Sequence, residues 1–232
     1  MRIAMWSGPR NISTAMMYSF AARGDCGVWD EPFYAAYLAT SGLDHPMRDD
    51  IIHAHESNPS IVAKRCSEPD QDNRPHFYMK HMPHHMLDGF PMDWAKDCVN
   101  VHLIRHPARV IASYAAKRTD VTMDDIGFVQ QSRIFEAYGG IVLDSFDVRQ
   151  NPRAMLQRLC TTIGLPYLEH MLSWPSGGHP SDGVWAAHWY GAVHQSTGFA
   201  GPEGPLPQLD TVQSALAAQA MPFYDSMARE KL

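Results

Sequence analysis

At 232 residues, 45% of them hydrophobic and 19% charged, the chain can bury the core of one domain and is too apolar for wholesale disorder. Its net charge of −6 argues against a dedicated nucleic-acid binder, which needs clustered Lys and Arg to neutralise phosphates. No apolar run approaches the ~20 residues that span a bilayer, so no membrane partner is expected. Four cysteines (Cys26, Cys66, Cys98 and Cys160) stand far apart with no Cys-x-x-Cys pair, signalling neither a zinc ribbon nor a disulfide framework. Met1 to Ser7 reads as a strand rather than a signal peptide. The composition predicts a soluble, cytoplasmic, globular protein.

Strand-length apolar runs alternate with amphipathic helical segments along most of the chain. Arg2–Ser7 reads as a buried strand, followed by Gly8-Pro9 and a helix from about Ser13 to Arg23. Gly24-Asp25 stops that helix, and Cys26–Asp30 gives a short second strand. Pro32 can open the next helix, since proline at the first helical position loses nothing. His76–Lys80 and Val99–Arg105 read as strands, with a helix over Pro107–Arg118. Thr122 and Asp125 resemble a capping box for a helix reaching about Tyr138. Ile141–Phe146 reads as a strand, Asn151-Pro152 caps the next helix and Gly164 ends it. A closing helix from about Thr211 is expected to break at Pro222. This order predicts an α/β fold with a parallel sheet flanked by helices on both faces, in one domain over residues 1–232. Two stretches depart from the rhythm: a polar insertion at about 44–74 and an irregular segment at about 174–209. No Lys or Arg lies between Arg158 and Arg229.

The turn after the first strand has the makings of a phosphate cradle. Ligands of open α/β sheets bind at the carboxyl ends of strands, where free N–H groups at helix starts attract anions. Gly8-Pro9-Arg10-Asn11-Ile12-Ser13-Thr14 supplies a tight turn, a forked permanent cation and two hydroxyl donors. The simpler reading is that Asn11 or Ser13 only caps the helix. A nucleoside-triphosphatase loop would end in Gly-Lys-Ser/Thr, and no lysine is present here. A second landmark is Arg105, at a strand end, with Ser113 eight residues later, nearly two turns into the following helix. A plain strand–helix junction competes with a second anion pocket there.

Together these two segments resemble the sulfotransferase family. Its members carry a Pro-Lys/Arg-Ser-Gly-Thr/Ser-Thr loop around a 5′-phosphosulfate and an Arg–(seven residues)–Ser element on a 3′-phosphate. Pro9–Thr14 is similar to the first element and Arg105 with Ser113 to the second. Weaker similarity covers Leu143–Phe146 and Asn151–Pro166. The resemblance implies a P-loop-type three-layer sandwich. It also implies the co-substrate 3′-phosphoadenosine 5′-phosphosulfate (PAPS), no metal, and cofactor contacts from Gly8, Pro9, Arg10, Asn11, Ile12, Ser13, Thr14, Arg105 and Ser113. Ile12 stands where the family usually has glycine and Asn11 where it usually has serine. The basic Arg-Lys-Gly-x-x-Gly segment of many members is replaced by the uncharged region Pro180–Trp185.

Sulfuryl transfer needs a base for the acceptor and cations for the leaving phosphate. Lys80-His81-Met82-Pro83-His84-His85 is similar to the family's catalytic His-Leu-Pro setting. His81 is therefore expected as the base, with Lys80 and Arg10 as cations near the leaving group. The three histidines could instead hold a metal or be plain surface residues. Glu31, in Asp30-Glu31-Pro32-Phe33, is the rival base. It resembles a glutamate of bacterial trehalose sulfotransferase-like enzymes, and its aromatic surroundings would raise its pKa. The helix dipole at Pro32 would act in the opposite direction. Trp185 and Trp189 are expected in the core, and His188, Trp189 and Tyr190 sit in a segment suited to cover an acceptor. The resulting reading is a PAPS-dependent sulfotransferase acting on a small hydroxyl- or amine-bearing acceptor. The rivals are another P-loop phosphotransferase or nucleotide hydrolase, and a non-catalytic nucleotide-binding module.

Overall fold

The computed structural model describes residues 1–118 and 120–232. Five parallel strands, β1 (Arg2–Ser7), β2 (Cys26–Asp30), β3 (His76–His81), β4 (Val99–Ile104) and β5 (Ile141–Asp144), form one sheet in the order 2-3-1-4-5. From the central β1 the chain goes out to the edge strand β2, returns to β3 beside β1, then crosses to β4 and β5 on the other side. That reversal opens a crevice beyond the carboxyl end of β1, where a doubly wound sheet binds its ligands. β1 is followed by α1 (Ser13–Ala21) and β2 by α2 (Tyr34–Ser41). The expected insertion carries α3 (Arg48–Ala54) and α4 (Pro59–Cys66). After β4 come α5 (Pro107–Ala115), α6 (Met123–Ile126) and α7 (Phe128–Tyr138); after β5 come α8 (Ser145–Gln150) and α9 (Pro152–Ile163). The irregular segment contains two single-turn helices, α10 (Ala186–Trp189) and α11 (Gly191–His194), before the closing α12 (Thr211–Ala228).

Strand alternation divides the core into two layers. Ile3, Met5, Tyr78, Val101 and Leu103 pack against α1 and α9 on one face. Ala4, Trp6, Phe77 and Met79 pack with Val62, Trp94 and Ile134 on the other. This is the predicted helix–sheet–helix sandwich.

Local departures have local causes. The helix expected over 122–138 is two helices, because Gly127 takes a left-handed φ of 69° between them; the Thr122–Asp125 capping box is present. β5 stops at Asp144, whose side chain accepts from the Phe146 amide 2.9 Å away and starts α8. α2 begins at Tyr34 rather than at Pro32. α12 runs unbroken through Pro222, with Ala217, Ala220 and Met227 buried along it. Among the described residues no helix is long and apolar enough to cross a membrane.

Candidate active site

The turn between β1 and α1 is bent to expose backbone donors. Arg10 and Ile12 hold left-handed φ angles of 58° and 51°, costly for any residue with a Cβ and most so for a β-branched one. Ile12 is the N-cap of α1, and no side chain caps that helix. The capping role considered for Asn11 or Ser13 is therefore not taken. Asn11 instead donates its Nδ2 to the Leu103 carbonyl at 2.6 Å, tying the turn to β4. Gly8 is not left-handed; a Cβ there would lie 2.7 Å from the Ile126 carbonyl oxygen, so close backbone approach is what demands glycine.

The two expected anion elements meet. Arg10 Nε donates to Ser113 Oγ at 3.0 Å, and Arg105 Nη1 donates to the carbonyl of Arg10. Burial first, and then the neighbouring Arg105, pull the Arg10 guanidinium below its usual pKa. Two adjacent arginines under uncapped helical amides make a cation-rich site that favours an anion. A cavity of about 300 Å³ lies over it, lined by Pro9 through Ala15, Arg105, Ser113 and Arg149.

The same cavity reaches Glu31 and Lys80. Lys80 is 1% exposed and faces Asp30 across the β2–β3 register. Its Nζ donates to Asp30 Oδ1 (2.8 Å), Glu31 Oε1 (2.6 Å) and Tyr190 Oη (2.6 Å). An ammonium has three donors, and all three are spent. Lys80 therefore holds Glu31 in place and keeps no N–H for a leaving group. Tyr190 Oη also accepts from Trp185 Nε1 at 3.1 Å and lies 2.8 Å from Asp30 Oδ2, closing the network. Burial would lower the Lys80 ammonium, but the attraction of Asp30 and Glu31 carries it above its usual value. Burial raises the Glu31 carboxyl despite the opposing pull of Lys80. Glu31 Oε1 is committed to Lys80, whereas Oε2 has no protein partner among the described residues.

The structure does not bring His81 to this cavity. His81 is one residue past Lys80 on a strand, so it points to the opposite face of the sheet. There its ring stacks on Trp6, its register partner, at 4.6 Å, and lies 4.7 Å from Trp94. Neither ring nitrogen has a hydrogen-bond partner, and burial pushes its pKa down to about 3. His84 and His85 do line the cavity, both kept neutral by burial. Among the described residues no group of three His, Cys, Asp or Glu side chains is gathered as metal ligands. Trp185 is buried in the core as expected, whereas Trp189 lines the cavity and stacks on Tyr114. Tyr34, His45 and Tyr190 complete an aromatic wall.

Sequence reasoning missed Tyr190 as the hub of the network and Asp30 as its second carboxylate. The pairing of Asp30 with Lys80 could have been found from strand register. It also missed Arg149 and Arg109, whose side chains join Arg105 around Glu203.

The comparisons with known proteins agree with this architecture. The family model described as a sulfotransferase domain matches residues 1–230. Branched-chain-amino-acid aminotransferase-like proteins 2 and 1 of Arabidopsis thaliana are 31% and 33% identical over 228 and 224 residues, or 96% and 92% of this chain. This chain spans only about 40% of the length of either. Retinol dehydratase, solved with androsterone and the inactive cofactor PAP, superposes with a TM-score of 0.50 at 13% identity. That alignment covers 99% of this chain and 81% of that one, and shows a shared fold. The sulfotransferase domain from the curacin biosynthetic pathway gives a TM-score of 0.46 at 14% identity, over 94% of this chain and 96% of that one. With its parallel 2-3-1-4-5 sheet, its turn from β1 into an uncapped helix and a family match along nearly its whole length, the chain belongs to the sulfotransferase-domain family.

Proposed function

We propose that the protein transfers a sulfuryl group from PAPS to a hydroxyl or amine of a small acceptor, with Glu31 rather than His81 as the base. In this reading Arg10 and the first amides of α1 hold the 5′-phosphosulfate, while Arg105 and Ser113 take the 3′-phosphate. The acceptor lies against Tyr34, Trp189 and the neutral histidines. Its oxygen or nitrogen attacks sulfur as the bond from sulfur to the bridging phosphate oxygen breaks. The acceptor proton passes to Glu31 Oε2, and adenosine 3′,5′-bisphosphate leaves with the electron pair, its charge met by Arg10 and the helix dipole.

The observation that carries this reading is the placement of Glu31. It shares one cavity with Arg10 and the first amides of α1, one of its oxygens is fixed by Lys80, and burial raises its pKa. His81 lies across the sheet, held neutral among Trp6, Phe33 and Trp94. An aromatic wall with neutral histidines suits an uncharged or aromatic acceptor better than a polyanion. The test is turnover of PAPS against a panel of small alcohols, phenols and amines. Glu31→Gln should lower turnover by ~10²–10⁴-fold and leave affinity for adenosine 3′,5′-bisphosphate unchanged. Full activity in that variant would remove Glu31 from the chemistry.

A further inference from the structure

Three arginines from three different elements converge on one carboxylate. Arg105 follows β4, Arg109 lies on α5 and Arg149 on α8, and all reach Glu203 in the irregular segment before α12. Arg105 Nε donates to Glu203 Oε1 at 3.0 Å and its Nη2 donates to the same oxygen. Arg149 Nη1 donates to it as well at 2.9 Å, and Arg109 Nε lies 2.8 Å from Oε2. The Glu203 side chain is 1% exposed, yet Gly201, Pro202, Gly204, Pro205 and Leu206 around it are exposed. This stretch has no helix or strand, and its other ties to the arginines are backbone carbonyls: Gly201 to Arg149, and Gly204 and Pro205 to Arg109. One buried acid therefore anchors an otherwise surface strap.

The donor inventory of Arg105 shows what this means for the cavity that it lines. Its Nε–Nη2 edge is spent on Glu203, and its Nη1 on the carbonyl of Arg10. Three of its five N–H donors are thus spent, and a phosphate can take the Nε–Nη2 fork only by displacing Glu203. A single negative charge also faces three guanidiniums, whereas a phosphomonoester brings nearly two charges and three acceptor oxygens. We propose that Glu203 is an internal stand-in for the phosphomonoester on the donor's ribose: it fills a three-arginine site in the empty protein, and a nucleoside 3′,5′-bisphosphate displaces it together with the strap around it. This rests on the PAPS reading above and adds Arg109 and Arg149 to the donor site. Glu203 lowers apparent affinity by the fraction of time it fills the site, and only for nucleotides that carry the ribose phosphate.

Calorimetric titration of the full chain and of Glu203→Gln with adenosine 3′,5′-bisphosphate and with adenosine 5′-monophosphate tests this. The variant should bind the bisphosphate about tenfold to a hundredfold more tightly and the monophosphate unchanged. A weaker bisphosphate affinity in the variant would make Glu203 a positioner of the arginines and overturn the proposal. Because the variant can fail to fold, the wild type is also digested with a glutamate-specific protease. Cleavage after Glu203 should speed up about tenfold when adenosine 3′,5′-bisphosphate is bound, and equal rates with and without it would also overturn the proposal. A wild type that binds both nucleotides equally would instead refute the 3′-phosphate reading beneath it. A wild type that prefers the bisphosphate while the strap stays put would leave that reading standing and reject this one.

Discussion

His81→Phe separates a structural histidine from a catalytic one in a single variant. The wild-type ring lies between Trp6 and Trp94, and neither nitrogen has a partner. Its folded pKa of about 3 lies below its ordinary value of 6.5, so the fold accepts only the neutral ring. A group depressed in this way contributes stability that is complete above pH 6.5 and is lost as the pH falls towards 3. Each pH unit below 6.5 removes about 1.4 kcal/mol, so near pH 5 the histidine costs about 2 kcal/mol relative to neutrality. Phenylalanine keeps the stacking, removes two unpaired buried nitrogens and does not titrate. It should leave stability at pH 7.5 unchanged or raised by about 1 kcal/mol, and widen its advantage by about 2 kcal/mol at pH 5. Urea unfolding at the two pH values reads the stability, and turnover at pH 7.5 should stay within about threefold of wild type. His81→Leu serves as a smaller control against overpacking. A folded His81→Phe that loses ~10²-fold or more of its turnover, or a stability difference that does not change with pH, would refute this reasoning.

The remaining predictions concern the cradle, the network and the other neutral histidines. Arg10→Ala should weaken adenosine 3′,5′-bisphosphate binding by ~1.5–3 kcal/mol in a calorimetric titration, the loss of one charge-assisted contact. Lys80→Met should destabilise the protein by ~3–5 kcal/mol in urea at neutral pH, because it strands Asp30 and Glu31 without their cation. That deficit should shrink as the pH falls. Burial already raises the Glu31 carboxyl, the loss of Lys80 would raise it further, and its protonation restores stability. His45, His84 and His102, each lowered to about 4 by burial, should together with His81 make the wild type acid-labile, with stability falling from pH 6.5 downwards.

The parallel sheet, though not its strand order, was legible because strand-length and helix-length patterns alternate. The turn that carries Arg10 was legible because Gly8-Pro9 follows a strand and precedes a helix. The face on which His81 sits was legible too, from the period of two: if Lys80 reaches the cavity, its neighbour on β3 cannot. The family-like His-Met-Pro setting drew attention to the residue type and away from that alternation. Pro222 was read as a break, but the buried Ala217, Ala220 and Met227 keep α12 together across the missing N–H. Gly8 was recognised for the wrong reason, since its close neighbour is the Ile126 backbone, far along the chain. The Glu203 clamp had no local signal. Its partners lie 98, 94 and 54 residues away, and a charge pairing over such distances is set only by the finished fold.

Titrating the wild-type protein with adenosine 3′,5′-bisphosphate and adenosine 5′-monophosphate, each with and without magnesium, is the most direct test of the central claim. A site built from Arg10, the amides of α1, Arg105 and Ser113 should favour the bisphosphate by at least about tenfold, without help from magnesium. Arg105→Ala should erase most of that preference. Equal affinity for the two nucleotides, or binding that requires magnesium, would contradict the assignment of PAPS as the donor.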